Sequence, residues 1–506
     1  MKPGLSLLII LLLKSSLFSL ISISPDAFQD GSLQARISSP PFVEFDKIEG
    51  SINFSAKVFN PTDEPIALYI MEKSGDKLEL IEEASVVPAH GETQLLVRIN
   101  SKYRFTRYDN KTYAIVGIQK NGSVLGRYIT IDISWGSYEK SIRDMILHTN
   151  TYALPVLGIL IIILIAILLE LAYQTSYSPE YTLRTLFFPN IKGKPILEKA
   201  AEIMTDPLFW LFEAAGISIL LVSIYNNVSS KVGSEAAFEF LILSGMGALI
   251  LPLAYLVIAR LSEKYEKKPI RAFFGLFMWG SFSAFLSFLL SYLQWPIFKA
   301  IGLSTSTVSF SFFVAALLAP FFEEFTKGLG ILIFSSHREF DDALSGLLFG
   351  YTVGVGFSFI ENWFYFTSRT NPFELGLIPW GSLVLYRSFF NSIAHGCFAA
   401  ATAVTIGYIK SHPRATTLAH FGVLPGFFAS VVLHVIFNLS ALIDGFVISN
   451  YNVPVFVFNP LVVVVISIMF LFVYISATRE EKIRYLGQKA KDMIEELGLN
   501  FDNTKK

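Results

Sequence analysis

The chain has 506 residues, 53% of them hydrophobic and 16% charged, with a mean hydropathy of +0.52 and a net charge of −1. A soluble domain averages about 25% charged residues, so this composition describes a polytopic membrane protein, and the near-zero net charge argues against a nucleic-acid partner. The single cysteine, Cys397, excludes an intrachain disulfide and a thiolate zinc cluster, so any metal must be held by His and carboxylate.

Residues 1–24 begin with Lys2, run through an apolar stretch from Leu5 to Leu13 and turn Ser-rich before Pro25. That is the pattern of a signal peptide or, if uncleaved, of an N-terminal anchor. Either one places residues 25–150 outside the cell. There, Ile52, Phe54, Ala56 and Val58 alternate along one strand face before the Asn60-Pro61 turn, and Ile66, Leu68 and Ile70 form another such face. Asn121-Gly122, between Tyr113–Gln119 and Val124–Ile133, is a hairpin signal. The expected fold is a small extracellular β-sandwich of immunoglobulin-like type. Asn53, Asn110 and Asn121 each begin a glycosylation sequon, a weak motif that Asn438 also satisfies inside an apolar segment.

Nine apolar stretches follow, at about 152–173, 207–225, 237–259, 273–295, 308–334, 343–366, 383–409, 421–444 and 455–477. Each is near the roughly 20 residues that a bilayer requires, giving an all-α bundle of about nine spans. With the β-domain outside, the loops 174–206, 260–272, 335–342 and 410–420 face the cytoplasm and hold twelve Lys/Arg. The opposite loops hold three, Lys231, Lys299 and Arg369, an asymmetry that obeys the positive-inside rule. Residues 151–206 form the first span and a cytoplasmic linker, 207–477 the main helical domain, and 478–506 a cytoplasmic tail with a short amphipathic helix. No internal repeat is found, which removes support from a transporter architecture.

Polar residues gather in the later spans. The fifth carries Glu323, Glu324 and Lys327, with Glu323 and Lys327 at i,i+4 and within pairing distance. The sixth has glycines at 346, 350, 354 and 356, a packing stripe, followed by Phe357, Glu361 and Asn362. Arg387, Asn391 and His395 make an i,i+4,i+8 stripe on the seventh span, and His434 and Asn438 an i,i+4 pair on the eighth. A charge at the centre of a span costs roughly 2.5–3.5 kcal/mol on insertion scales. Glu–Lys staples, a hydrated Glu361 and hydrogen-bonded helix histidines are the structural alternatives to a reaction centre. The chemical reading takes one Glu of the pair as a general base. It allows a Zn²⁺ held by His395, His434 and Glu361 or Glu323, with a bend in the sixth span bringing Glu361 inward. Glu213, alone in the second span, reads as a helix contact.

Glu-Glu-x-x-Lys, Phe-x-x-x-Glu-Asn, a His span and a His-x-x-x-Asn span, in that order, resemble the PrsW family of intramembrane proteases. That family is grouped with CAAX prenyl endopeptidases and bacteriocin-processing enzymes, and the resemblance covers about residues 200–445. It implies that Glu323 or Glu324 activates water, that Lys327 is the basic partner, and that Glu361, Asn362, His395 and His434 match the remaining motifs. Asn438 departs from the Asp more usual at that place, and as a neutral amide it suits an oxyanion donor together with His434, the alternative being a Zn²⁺ on His395 and His434 doing the same work. Arg387 is a supporting residue on the His395 stripe. The implied activity is an intramembrane endopeptidase acting on a membrane-embedded protein or peptide within the lipid bilayer. A non-catalytic scaffold of the same fold and an ion-coupled transporter are the competing readings.

Overall fold

The computed structural model describes residues 36–38, 42–72, 78–80, 86–103, 110–119, 124–177, 184–185, 188–300, 313–412, 422–451 and 456–496. The signal peptide or anchor expected at 1–24 lies outside them. Nine strands come first: β1 (Arg36–Ser38), β2 (Phe42–Glu44), β3 (Glu49–Phe59), β4 (Ile66–Glu72), β5 (Leu78–Leu80), β6 (Val86–Val87), β7 (Glu92–Lys102), β8 (Asn110–Gln119) and β9 (Val124–Ser134). They form two sheets, ordered β1-β3-β7-β5 and β2-β9-β8-β4-β6. The expected alternation is present: Ala56 and Val58 on β3 are buried while Lys57 between them is exposed, and Ile66 and Leu68 on β4 are buried. β8 and β9 pair antiparallel as the Asn121-Gly122 signal predicts, although the turn itself lies outside the described residues. The Asn60-Pro61 turn closes on the buried Asn60 side chain, which accepts from Thr62 N and donates to Glu64 O and Val87 O.

The helices are α1 (Gly136–Tyr177), α2 (Ile196–Met204), α3 (Pro207–Val232), α4 (Ser234–Leu261), α5 (Ile270–Ala300), α6 (Ala319–Phe334), α7 (Ala343–Phe364), α8 (Pro372–Leu375), α9 (Leu377–Ser411), α10 (Leu424–Tyr451) and α11 (Phe458–Glu496). A π-helical turn, Val314–Leu318, leads into α6, and another, Tyr365–Arg369, ends α7. Among the described residues seven helices are long and apolar enough to cross a membrane, against nine expected, and the chain is a multi-pass membrane protein. The two others have specific reasons for their absence from that set. The expected span 152–173 lies inside α1, part of whose side chains are outside the described residues. The expected span 308–334 is, where described, the π turn plus the 16-residue α6. The helix runs on without a break through the π turn, and residues 308–312 of the expected span lie outside the described residues.

The buried centre of the bundle is α7, packed between α5 and α9. The glycine stripe explains how close these helices come. A Cβ on Gly346, Gly350 or Gly354 would fall 2.5, 2.8 and 1.9 Å from the carbonyl oxygens of Ala403, Ala399 and His395 on α9, and one on Gly356 would fall 2.1 Å from Phe277 O on α5. The stripe is therefore packing on two sides. The bend expected in this span is not needed, because α7 is one continuous α-helix over Ala343–Phe364 and the close approach itself carries Glu361 to His395. The tail differs from expectation too: it begins no separate helix but extends the last span in the 39-residue α11. Arg484 pairs with Asp342, the N-cap of α7, and Tyr474 Oη donates to Ser262 O at 2.9 Å.

Candidate active site

Four helices contribute the site. On α6, Pro320 sits in the first turn, directly after the helical π turn, and one turn later come Glu323 and Glu324. Adjacent residues on a helix point about 100° apart, and the two carboxylates have different surroundings. Glu324 is 1% exposed and accepts from three donors. Its Oε1 takes Lys327 Nζ at 2.6 Å and lies 2.9 Å from His434 Nδ1, and its Oε2 takes Ser430 Oγ at 2.6 Å. The Glu323 side chain is 15% exposed. Its Oε2 has no hydrogen-bond partner among the described residues and lies 3.6 Å from His434 Nε2. The expected i,i+4 pair of Glu323 with Lys327 is replaced by an i,i+3 pair of Glu324 with Lys327, because Lys327 turns toward α9 on the side that Glu324 shares.

Lys327 is fully buried. Its ammonium donates to Glu324 and to His395 Nδ1 at 2.8 Å and rests 3.9 Å from the centroid of the Phe357 ring, where the π face favours a cation. On α9 the predicted stripe of Arg387, Asn391 and His395 faces α7 as a unit. Asn391 Nδ2 donates to Glu361 Oε2 at 2.8 Å and to Asn362 Oδ1 at 3.0 Å. Arg387 Nη2 lies 3.4 Å from Glu361 Oε1, its Nε donates to Asn362 Oδ1 at 3.3 Å, and its guanidinium covers the Tyr365 ring at 3.7 Å. His395 Nε2 is 3.1 Å from Glu361 Oε2, though without the alignment of a hydrogen bond. The rings of His395 and His434 stand nearly perpendicular, 4.8 Å apart between centroids.

The predicted residues thus converge, with two differences in grouping. Glu323, His395 and His434 offer ligand atoms that all lie within 4.8 Å of one another, the spacing of a metal site. Glu361, expected beside the histidines as a ligand, instead faces His395, Arg387 and Asn391 and is not in that group. Asn438 Nδ2 donates to Ala315 O at 3.0 Å; it is clamped on the π turn before α6. Two participants are not among the residues that the sequence singles out. Ser430 stands one turn before His434, so the i,i+4,i+8 series of Ser430, His434 and Asn438 is its available signal. The π turns themselves have no sequence signature, yet such turns frequently mark functional sites.

Comparison with known proteins falls on the same segment. Residues 268–470 match the sequence profile described as PrsW family intramembrane metalloprotease. Protease PrsW of Geobacillus kaustophilus (strain HTA426) is 30% identical over 149 residues, which are 29% of this chain and 61% of that protein. Protease PrsW of Oceanobacillus iheyensis (strain DSM 14371) is 27% identical over 205 residues, covering 40% of this chain and 85% of its own length. The match to the first relative therefore spans less than two thirds of that protein. Every residue of the convergent cluster, from Glu323 to Asn438, falls inside the matched segment, and over that segment the chain resembles the PrsW family of intramembrane proteases.

Proposed function

We propose that the protein is an intramembrane endopeptidase in which Glu323 is the general base. The observation that carries this is the unequal pair: Glu324 is saturated by three donors, while Glu323 presents an uncommitted, buried oxygen beside His434 Nε2. In the reaction, the Glu323 carboxylate takes a proton from water and the water oxygen adds to the scissile carbonyl carbon. Collapse of the tetrahedral intermediate breaks the C–N bond, and the departing amine receives the proton from Glu323. Proton transfer of this kind contributes typically about 10²–10⁴-fold. Lys327 holds His395, Glu324 holds His434 and Ser430 holds Glu324, while Asn391 and Arg387 hold Glu361 beside His395. Asn438 sets the π turn that positions the start of α6.

A cation is implied by the description of the matched family, and the spacing of Glu323, His395 and His434 suits one such as Zn²⁺. The hydrogen bonding does not: the buried Lys327 ammonium donates to His395 Nδ1, so the neutral ring carries its N–H on Nε2 and has no free lone pair for a cation. The residues as arranged do not fit a bound cation, and the steps above use side chains alone. The substrate is a membrane-embedded protein or peptide, because the site lies within the span-forming helices. The positive-inside count supports an extracellular β-domain, a cytoplasmic C-terminus and a signal or anchor at 1–24.

The test is cleavage of a panel of transmembrane peptides by the purified protein in liposomes. Wild type is expected to cleave, with or without a chelator, and Glu323→Gln to lose about 10²–10⁴-fold in rate. A Glu323→Gln protein that cleaves as wild type overturns the assignment of the base, and chelator-abolished cleavage overturns the metal-free step.

A further inference from the structure

We infer that the Glu324–Lys327 ion pair imposes opposite tautomers on the two histidines, making His395 a hydrogen-bond donor and His434 an acceptor at the reaction centre. The argument is an inventory of protons. A carboxylate only accepts and an ammonium only donates. His434 turns Nδ1 toward Glu324 Oε1 at 2.9 Å, so that nitrogen carries the N–H and Nε2 keeps its lone pair. His395 turns Nδ1 toward Lys327 Nζ at 2.8 Å, so that nitrogen must accept, and the N–H of the neutral ring falls on Nε2. Glu324 and Lys327 are themselves joined at 2.6 Å and are three residues apart on α6. One buried ion pair therefore sets both rings, whose partner nitrogen in each case decides the tautomer.

The consequence deepens the endopeptidase reading and rests on it. Glu323 Oε2 and His434 Nε2, 3.6 Å apart, are both acceptors, so a water between them donates one hydrogen to each and turns its lone pair outward. His395 Nε2–H is the donor left for the oxygen of the carbonyl under attack, a role expected from sequence for His434 and Asn438; here His434 Nε2 is an acceptor and the Asn438 amide donates to Ala315 O. The Glu361 carboxylate lies 3.1 Å from His395 Nε2 but out of line for a hydrogen bond, so the Nε2–H is uncommitted. Lys327 is in this scheme a positioning residue: it acts through His395.

The experiment is ¹⁵N NMR of the full-length protein, labelled at histidine and held in lipid nanodiscs at neutral pH. His395→Gln and His434→Gln samples serve to assign the two signals. The expected result is a pyridine-type Nδ1 with a pyrrole-type Nε2 for His395, and the reverse for His434. Lys327→Arg keeps a donor and retains the pattern; Lys327→Met removes it, and His395 loses its single tautomer while His434 keeps its own. Both rings showing the same tautomer in the wild-type protein, or His395 present there as imidazolium, overturns the inference whether or not the Lys327 variants fold. The readout is independent of cleavage. Opposite tautomers in a protein that cleaves nothing would leave this inference standing and sink the protease reading, whereas cleavage with matching tautomers would do the converse.

Discussion

Glu323 and Glu324 are chemically identical and adjacent, yet the fold gives them opposite employment. Glu324 is held by donors from three helical turns on two helices, whereas Glu323 has an oxygen to spare. Removing Glu324 leaves the fully buried Lys327 ammonium without its counter-charge, and breaking a buried pair in this way typically costs about 3–5 kcal/mol. Glu324→Ala is thus expected to lower the thermal midpoint of the detergent-solubilised protein strongly, while Glu323→Gln leaves the midpoint near wild type. Equal midpoints for the two variants would show that the pair is not divided as described. This division is beyond reading along one chain: the presence of two carboxylates, two imidazoles and a lysine is legible, but their roles depend on Ser430 and His434, more than a hundred residues away in sequence. The same limit explains Asn438. Its chemistry suits an oxyanion donor, and only the folded chain shows Ala315 O at its amide.

Helices are legible from apolar length, and glycines at four-residue spacing signal a packing stripe, which the folded chain bears out. Which helix they meet, and what that contact does for the site, depends on packing. Gly354 lies against the carbonyl of His395 itself, at a distance that a methyl group cannot share. Gly354→Ala must push α7 and α9 apart, an overpacking that typically costs about 1–3 kcal/mol, and it separates Glu361 from His395. We expect a lower thermal midpoint together with a loss of cleavage. Gly381→Ala, on the same α9 but with open space around the added carbon, should be neutral or stabilising by up to about 1 kcal/mol, since alanine is the better helix former. Two indistinguishable variants would refute the close approach. The short α6 and the two π turns that bracket the cluster have no comparable signal, because a five-residue π turn is set by the packing and hydrogen bonds around it, such as the Asn438 clamp.

Across the whole molecule, the sheets and the bundle share one apolar junction. Phe45 stacks on Trp135 at 4.6 Å, and Tyr103 meets the edge of Trp135 at 5.4 Å and lies 5.1 Å from Tyr138. Tyr138 Oη then donates to Phe373 O at 3.0 Å, across 235 positions of sequence. On the bundle side Phe240 packs against Phe373 and Trp380, and Trp380 Nε1 donates to Phe366 O at 3.1 Å. Phe366 belongs to the π turn that ends α7, next to Tyr365, whose ring carries the Arg387 guanidinium that pairs with Glu361. A continuous packed path therefore runs from the strands to one wall of the site. Trp135, buried at its centre, is the residue whose loss should break it, and a buried Trp→Ala typically costs about 3–5 kcal/mol. In Trp135→Ala, amide hydrogen exchange is expected to rise along the strand edges and through residues 365–380, while the central amides of α5 and α7 stay protected. Cleavage should fall without vanishing, since Glu323 and His434 lie on helices outside the path. Faster exchange confined to the strands, with 365–380 unchanged and cleavage intact, would show that the β-domain sits on the bundle without bracing the site.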